Sequence, residues 1–376
     1  MAKVRILHAV YSMDLGGIEV WLSSLLDKLS PDKFEFDFIV FCQHEGFFDE
    51  KIKNLGGKIF RCAPPQNLIQ HILDIFRVLK KEPHYDVIHS HESAWNGTVL
   101  LIAKLLKIRI RIAHVHCDIS KTLPKNFLYR SYIKVNILIS RLMATHGLAV
   151  SMLAAKSYFG SDWQKRKINQ LLPCGLDLFP FSDPYNNPPI RKSLGIPDRA
   201  SVIGHVGSFR DDLKNHEFML KIAYELKNEN IYWLFVGEGE LKNNMQILSR
   251  ELGLDKKIIF AGIREDIPKI MLFAMDLFLF PSKSEGLGLA AVEAQAAGLR
   301  VICSDVIPYE INIIPQLISH LSLNLPASDW AQKIRIILET KNTVSRETAL
   351  KIIQNSIFNL DIGANELTKI YDGCKN

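Results

Sequence analysis

The sequence predicts an α/β protein built from two doubly wound, parallel-sheet domains. Three observations carry that prediction. At 376 residues the chain exceeds the size at which a single hydrophobic core stops growing. In each half, apolar β-rich runs alternate with helically spaced segments, the order of a parallel sheet covered on both faces. Between the halves lies FPFSDPYNNPPIRKSLGIPD (179–198), rich in Pro, Asn and Asp and without periodicity, which reads as a linker.

In the first half VRILHAVY (4–11), FEFDFIVF (34–41), KIFRC (58–62), YDVIHSH (85–91), RIRIAHVHC (109–117) and GLAVS (147–151) read as strands. Segments such as IEVWLSSLLDKL and LIQHILDIFRVLKK supply helices between them. In the second half SVIGHVGS, IYWLFVGEGE, KKIIFAG, DLFLFPS and RVICSD are short strands, each followed by a helical pattern. The predicted division is a first domain over 1–180, a linker over 181–198 and a second domain over 199–358. A C-terminal helix over 359–376 is expected to return to the first domain. Two such domains facing one another would form a cleft at the carboxyl ends of their strands, where ligands of doubly wound folds bind.

Composition narrows the function. Apolar residues make up 48% and charged residues 23%, ordinary for a soluble globular protein. The most apolar run, GTVLLIAKLLKIRIRIA from Gly97, is broken by Lys104, Lys107, Arg109 and Arg111 and is too interrupted to span a bilayer. The N-terminus lacks a signal-peptide cleavage region, so a cytoplasmic location is expected. Six scattered cysteines form no CxxC or Cys/His cluster and read as reduced thiols. The net charge of +6 is uneven: residues 51–170 hold 20 Lys/Arg against 6 Asp/Glu, whereas 184–376 hold 22 against 23. Between Ile119 and Ser161 there are six basic residues and no acidic one. That field suits phosphates or an anionic membrane surface, here the inner face of the plasma membrane. A solvated basic face explains the same residues. No nucleic-acid recognition motif accompanies the charge, so no nucleic-acid partner is expected.

The stretch SEGLGLAAVEAQAAG (284–298) concentrates the chemistry. LGLAAVEAQAAG is apolar around nearly its whole circumference and should be a buried helix. An ionised Glu293 within it is costly unless hydrogen-bond donors meet it, and sugar hydroxyls are such donors. Glu285 stands on the preceding loop, at most roughly 12 Å away at 1.5 Å of rise per residue. That is wider than the glycosidase carboxylate pair, at about 5 to 9.5 Å. The expected helix start leaves free amides at Leu287, Gly288 and Leu289 for an anion, between the two carboxylates. Sugar, diphosphate and ribose together describe a nucleotide sugar.

This strand–EGLGL–Glu pattern, with seven residues between the glutamates, resembles the signature of the retaining glycosyltransferases of family 4, which have the GT-B fold. Further segments resemble the family's motifs in order: GGIE (16–19), HVH (114–116), HVGSFRDDLKNHEF (205–218), VGEGE (236–240) and FAGIREDIP (260–268). The resemblance covers nearly the whole chain. It implies two facing Rossmann-like domains with a central cleft, acceptor in the first and nucleotide sugar in the second. It implies that Glu293 holds ribose hydroxyls, Glu285 contacts the transferred hexose and Lys214 binds the diphosphate beside an arginine. His116 would stand near the donor sugar or the acceptor; His114, two residues back on the same face, is the alternative, and so is a purely structural histidine. Gly16, Gly17, Gly207, Gly237, Gly262, Arg264, Gly286, Leu287, Gly288 and Leu289 complete the expected donor site, the glycines letting backbone approach the ligand.

The sequence departs from the family pattern where an arginine is expected after Gly207: Ser208 stands there. Arg210 is the candidate replacement, unless Asp211 and Asp212 hold it as a surface pair. No Asp-x-Asp occurs, so transfer without a metal or other cofactor is expected, with Lys214 and a helix N-terminus in the metal's place. Retention at the anomeric carbon is implied by the resemblance. The expected activity moves a hexose or N-acetylhexosamine, from UDP more than GDP, to a glycan or polyprenyl-linked acceptor in capsule, exopolysaccharide or lipopolysaccharide synthesis. An epimerase on the same fold and a catalytically silent nucleotide-sugar sensor remain as alternatives. The incomplete glycine fingerprint disfavours a nicotinamide oxidoreductase.

Overall fold

The computed structural model describes residues 3–81, 84–182 and 189–373. The chain divides into two compact units, Met1–Gly175 with Leu360–Asn376, and Leu176–Asn359. The interval 181–198, read as a linker, is described at its ends only, since 183–188 lie outside the described residues. Its second end is not a free connector. Ile190–Ser193 is helical, and Arg191 bonds the Asp276 carboxylate at 2.8 Å and the Ala274 carbonyl at 3.1 Å, tying it to unit 2.

Unit 1 holds a seven-stranded sheet of β1 (Val4–Val10), β2 (Phe34–Val40), β3 (Ile59–Arg61), β4 (Val87–Ser90), β5 (Ile110–Val115), β6 (His146–Ala149) and β7 (Asn169–Leu171). Its helices are α1 (Gly17–Lys28), α2 (Asp49–Asn54), α3 (Leu68–Lys81), α4 (Asn96–Leu105), α5 (Ile119–Thr122), α6 (Phe127–Met143) and α7 (Met152–Phe159). Every neighbouring pair of strands is parallel, in the order β3-β2-β1-β4-β5-β6-β7. Parallel strands must be joined by crossovers, and right-handed crossovers fix which face each helix covers. The steps from β3 to β6 run one way across the sheet, so α3, α4 and α6 share a face. The steps from β1 to β3 run the other way and put α1 and α2 on the opposite face.

Unit 2 repeats the plan with β8 (Ser201–Val206), β9 (Ile231–Val236), β10 (Ile258–Phe260), β11 (Leu277–Phe280), β12 (Arg300–Ser304) and β13 (Ile318–Leu321). The order is β10-β9-β8-β11-β12-β13, again all parallel. Its helices are α8 (Ile190–Ser193), α9 (His216–Glu225), α10 (Lys242–Glu251), α11 (Ile267–Phe273), α12 (Leu289–Ala296), α13 (Ala327–Glu339) and α14 (Arg346–Gln354). A core of Trp233, Phe235, Leu279, Trp330 and Ile334 closes between sheet and helices. Each such side chain contributes roughly 1.5–3 kcal/mol by leaving water.

The last helix, α15 (Leu360–Asp372), belongs to unit 1. Lys28 of α1 pairs with Asp361 at 3.1 Å, and Tyr371 is buried edge-on against Phe34. The five described cysteines are free thiols, and Cys374 lies outside the described residues. In both sheets the strand order reverses at one point, between β1 and β4 and between β8 and β11. Loops at the carboxyl ends of those strands part there and leave a crevice.

Candidate functional site

In unit 2 the loops after β8, β9 and β10 lie against one another through backbone bonds. Gly207 N–H donates to the Val236 carbonyl at 3.0 Å, and Gly237 N–H to that of Gly262 at 2.9 Å. Phe209 N–H donates to Glu238 at 2.8 Å. At Gly237 φ is +145°, and a Cβ there would fall 2.0 Å from the Gly207 carbonyl oxygen, so any side chain is excluded. The structure thus brings Gly207, Gly237 and Gly262 together and gives the first two a packing role. Arg264 is turned to its own loop, its guanidinium forking onto Asp266 at 2.8 and 2.7 Å.

At the switch point the segment 212–215 is fastened to the loop after β11. Lys283 N–H donates to the Leu213 carbonyl at 2.7 Å, and the Lys283 ammonium pairs with Asp212 at 2.8 Å. Asn215, in the left-handed region at φ 61°, donates from its buried amide to the Pro281 carbonyl at 3.1 Å. His216 is buried and stacked on Phe209 at 3.8 Å, and burial, with Lys214 nearby, lowers it to about 4, so it is a neutral spacer. Of the Lys-Asn-His run only the lysine remains for chemistry. Its Nζ meets Glu285 Oε1 at 2.5 Å and lies 5.5 Å over the Phe280 ring. Arg210 is exposed, and among the described residues it makes no ion pair. Asp211 instead accepts from Leu213 N–H, and Asp212 is taken by Lys283.

The helix after this loop starts later than the sequence suggested. Gly288 is the residue before α12, left-handed at φ 98°, and Leu287 is buried. The amides without an intrahelical carbonyl are therefore those of Gly288, Leu289 and Ala290, while Leu287 lies before the helix. The core takes Ala291, Val292, Ala294, Gln295 and Ala296, which leaves Leu289, Ala290 and Glu293 together on the open stripe. Gln295 is fully satisfied, donating to Ala291 and Ile311 and accepting from Ile314 N–H. Glu293 differs: among the described residues nothing hydrogen-bonds its carboxyl group, and burial pushes it up to about 7.

In unit 1 the loop after β1 ends in Gly16, the residue that opens α1, followed by Gly17. A Cβ on Gly16 would fall 2.3 Å from Glu19 Oε2, so the Glu19 carboxylate folds back over the helix start. On one face of the sheet His8, His89, His91, His114 and His116 stack under Trp21. Burial holds all five well below the ordinary histidine range, His8 and His114 at about 3, and repulsion from neighbouring histidines adds to it for every one but His114. They are neutral imidazoles.

Their tautomers follow from the partners. His114 Nε2 meets the Leu172 carbonyl at 3.0 Å and must carry a proton. His114 Nδ1 then accepts from His89 Nε2–H at 3.2 Å, and His89 Nδ1 accepts from the Tyr371 hydroxyl at 2.8 Å. A second chain runs from His8 through His91 (3.0 Å) and His116 (2.9 Å) to the Cys174 thiol (3.6 Å). Neither end is a carbonyl, so this chain can hold its protons in either direction. Two triplets, His8/His89/His91 and His91/His114/His116, bring ligand nitrogens within 4.8 Å, the spacing of a metal site. Among the described residues only His8 Nε2 of these ring nitrogens lacks a partner; the others are spent on one another, on Tyr371, on Leu172 and on Cys174. Beside His91, Glu92 is pushed up to about 8 by burial and by the Glu19 charge. His116 is thus placed in a shared network rather than alone. Sequence reasoning missed His8, His89, His91 and Glu92, although HSH at 89–91 repeats the spacing of HVH at 114–116 on the adjacent strand.

Comparison with known proteins identifies the family. Residues 15–178 match the model of Glycosyltransferase Family 4, and residues 186–357 that of Glycosyl transferases group 1. The chain is 31% identical over 341 residues to the putative glycosyltransferase EpsF of Bacillus subtilis, covering 89% of this chain and 87% of that one. It is 26% identical to a UDP-Gal:alpha-D-GlcNAc-diphosphoundecaprenol alpha-1,3-galactosyltransferase of Escherichia coli, over 81% of this chain and 80% of that one. Among solved structures, Anabaena HepE in complex with UDP and glucose superposes with a TM-score of 0.80 at 18% identity, over 97% of this chain and 98% of that one. The chain belongs to glycosyltransferase family 4 and is a glycosyltransferase of the GT-B fold.

Proposed function

We propose that this enzyme transfers a hexose or N-acetylhexosamine, with retention and without a metal ion, from a nucleotide sugar to a glycan or polyprenyl-linked acceptor. The setting is assembly of a capsule, exopolysaccharide or lipopolysaccharide, and UDP is the favoured nucleotide. Relatives named for a UDP-galactose donor with a diphosphoundecaprenol acceptor and for capsule synthesis support the substrate class. The observation that carries the reading is Glu293, whose carboxyl group has no partner among the described residues. It shares a helical stripe with two open amides, and Glu285, paired with Lys214, stands on the loop before it.

Ribose hydroxyls donate to Glu293, and the diphosphate lies against the Leu289 and Ala290 amides. Lys214, with Arg210 nearby in sequence, offsets the negative charge that grows on the leaving phosphate as the bond to the anomeric carbon breaks. Glu285, freed from Lys214 by the diphosphate, accepts from a hexose hydroxyl. The departing phosphate oxygen takes the proton of the acceptor hydroxyl, whose oxygen bonds the same face of the sugar. Glu92, beside Glu19 in unit 1, can accept hydrogen bonds from acceptor hydroxyls once ionised.

Calorimetric titration with UDP-, GDP-, ADP- and dTDP-sugars, each with and without EDTA, tests the donor half. UDP-sugars should bind with the same affinity in both buffers, and Lys214→Ala should lower kcat/KM by about 10²–10³. No binding of any nucleotide sugar, or a Lys214→Ala enzyme as fast as the parent, defeats the reading.

A further inference from the structure

Adjacent strands bring two His-x-His pairs to one face of the unit 1 sheet. β4 and β5 run parallel with His89 opposite Ile112, so alternation along each strand sends His89, His91, His114 and His116 to the same side. The rings stack in twos, His89 on His91 and His114 on His116, each with 4.2 Å between centroids. Across the strands His89 Nε2 lies 3.2 Å from His114 Nδ1, and His91 Nδ1 lies 2.9 Å from His116 Nε2. Four ring nitrogens therefore face one another in two close pairs. Tetrahedral zinc, about 2.0–2.1 Å from each nitrogen, needs its ligands roughly 3.3 Å apart. The cross-strand pairs stand near that spacing, and the two pairs need only close on each other around an ion.

The outer side of each ring is prepared for the same purpose. A histidine that ligates through one nitrogen is oriented by the hydrogen bond its other nitrogen donates. His114 Nε2–H already donates to the Leu172 carbonyl at 3.0 Å. His116 Nδ1 has the Cys174 sulfur at 3.6 Å, His91 Nε2 has His8 Nδ1 at 3.0 Å, and His89 Nδ1 has the Tyr371 hydroxyl oxygen at 2.8 Å. Each of these can accept, so all four outer partners are in place. Without an ion, one nitrogen of each facing pair carries a hydrogen. On binding, each imidazole keeps its single hydrogen on the outer nitrogen, Tyr371 turns its oxygen to accept from His89, and the ion sheds water for four inner lone pairs. The facing atoms are all nitrogens, which suits zinc and the neighbouring transition ions and not the oxygen-seeking Mg2+ or Ca2+. His89, His91 and His114 are buried, and the half-buried His116 leaves the side from which an ion enters.

We infer that His89, His91, His114 and His116 bind one divalent ion of the zinc type. The ion fastens β4 to β5 and, through the hydrogen bonds to Leu172 and Tyr371, locks the segment after β7 and α15 into unit 1. Its role is structural: the donor residues belong to unit 2, and the transfer proposed above passes no charge through this ion. The site stands on unit 1 alone, so it survives if unit 2 binds no nucleotide sugar.

The full chain, stripped with EDTA and then given ZnCl2 or MgCl2 without nucleotide, tests it. After free ion is removed, elemental analysis should find one zinc per chain and no magnesium, and zinc should raise the melting temperature. X-ray absorption at the zinc edge should show a shell of imidazole nitrogens at about 2.0–2.1 Å and no sulfur at about 2.3 Å. His91→Asn and His114→Gln should each lower zinc affinity by at least about 100-fold. Three results overturn the inference. They are a parent chain that retains no zinc, a zinc shell built of sulfur or oxygen, and a folded variant that holds zinc as tightly as the parent. The absorption spectrum is read on the parent, so it decides the matter even where a variant fails to fold. UDP-sugar titration of the zinc-free chain separates this failure from failure of the transfer reading.

Discussion

Glu293 is held where its charge is disfavoured, and that sets a measurable trade. Its pKa stands at about 7 in the folded chain through burial, against 4.5 for the free side chain. An acid raised on folding keeps its proton in the folded state while the unfolded state has lost it. Stability is therefore whole below pH 4.5, declines as pH rises and levels off above about 7. Each tenfold change in proton affinity corresponds to about 1.4 kcal/mol, and solvent screening of a side chain that is not fully buried brings the total to roughly 1–2 kcal/mol. Glu293→Gln should accordingly raise the stability of the free protein by that amount at about pH 8 and leave it unchanged below pH 4.5. The same change should weaken UDP binding about 10–100-fold, since hydrogen bonds to a charged group contribute about 1.5–3 kcal/mol. In the parent, UDP affinity should rise as pH passes through about 7. Denaturation and calorimetry on either side of that value read all three, and a glutamine variant that binds UDP normally removes Glu293 from the ribose.

Among the elements, the joint between segment 212–215 and the loop after β11 decides whether Lys214 and Glu285 meet. Asn215 is its pivot, combining a left-handed backbone with a buried bond to Pro281. Asn215→Gly keeps the backbone free but loses the bond, costing about 1–3 kcal/mol. Asn215→Ala should cost about 1 kcal/mol more, because alanine resists the left-handed region. Both should lower kcat/KM as the Lys214–Glu285 pair loosens; equal melting temperatures for parent, Gly and Ala chains would show the joint to be dispensable. The sequence made most of this element legible because its residue types are unusual: glycines in a row, a carboxylate inside an apolar helix, Lys-Asn-His after a strand. It was less legible where residue type is ordinary. β7 and β13 are short edge strands, NQL and ISHL, lacking the continuous apolar run of a central strand, and neither was predicted. The start of α12 was misplaced by two residues because Leu287 serves the core equally well from a loop. Glu92 and the second His-x-His gave no motif, since their meaning arises from the strand pairing of β1, β4 and β5.

The whole chain is two doubly wound units of which the first is finished last. Unit 1 is not complete at Gly175; α15, which follows the whole of unit 2 in the chain, covers the histidine face and supplies Tyr371. The proton order of that face makes this contribution specific. A carbonyl at Leu172 can only accept, so His114 and His89 must each point a proton toward it, and the hydroxyl of Tyr371 must donate at the far end. Tyr371→Phe preserves the ring against Phe34 and leaves His89 Nδ1 as a buried acceptor without a donor. Such an orphan costs about 1–3 kcal/mol. Chemical denaturation should show that loss. Tyr371 belongs to unit 1, so UDP titration should return the parent's affinity. A phenylalanine chain as stable as the parent would mean the histidines can reverse their protons and that the Leu172 carbonyl does not fix them. A loss of UDP affinity in step with stability would mean that the C-terminal helix governs both units rather than completing the first.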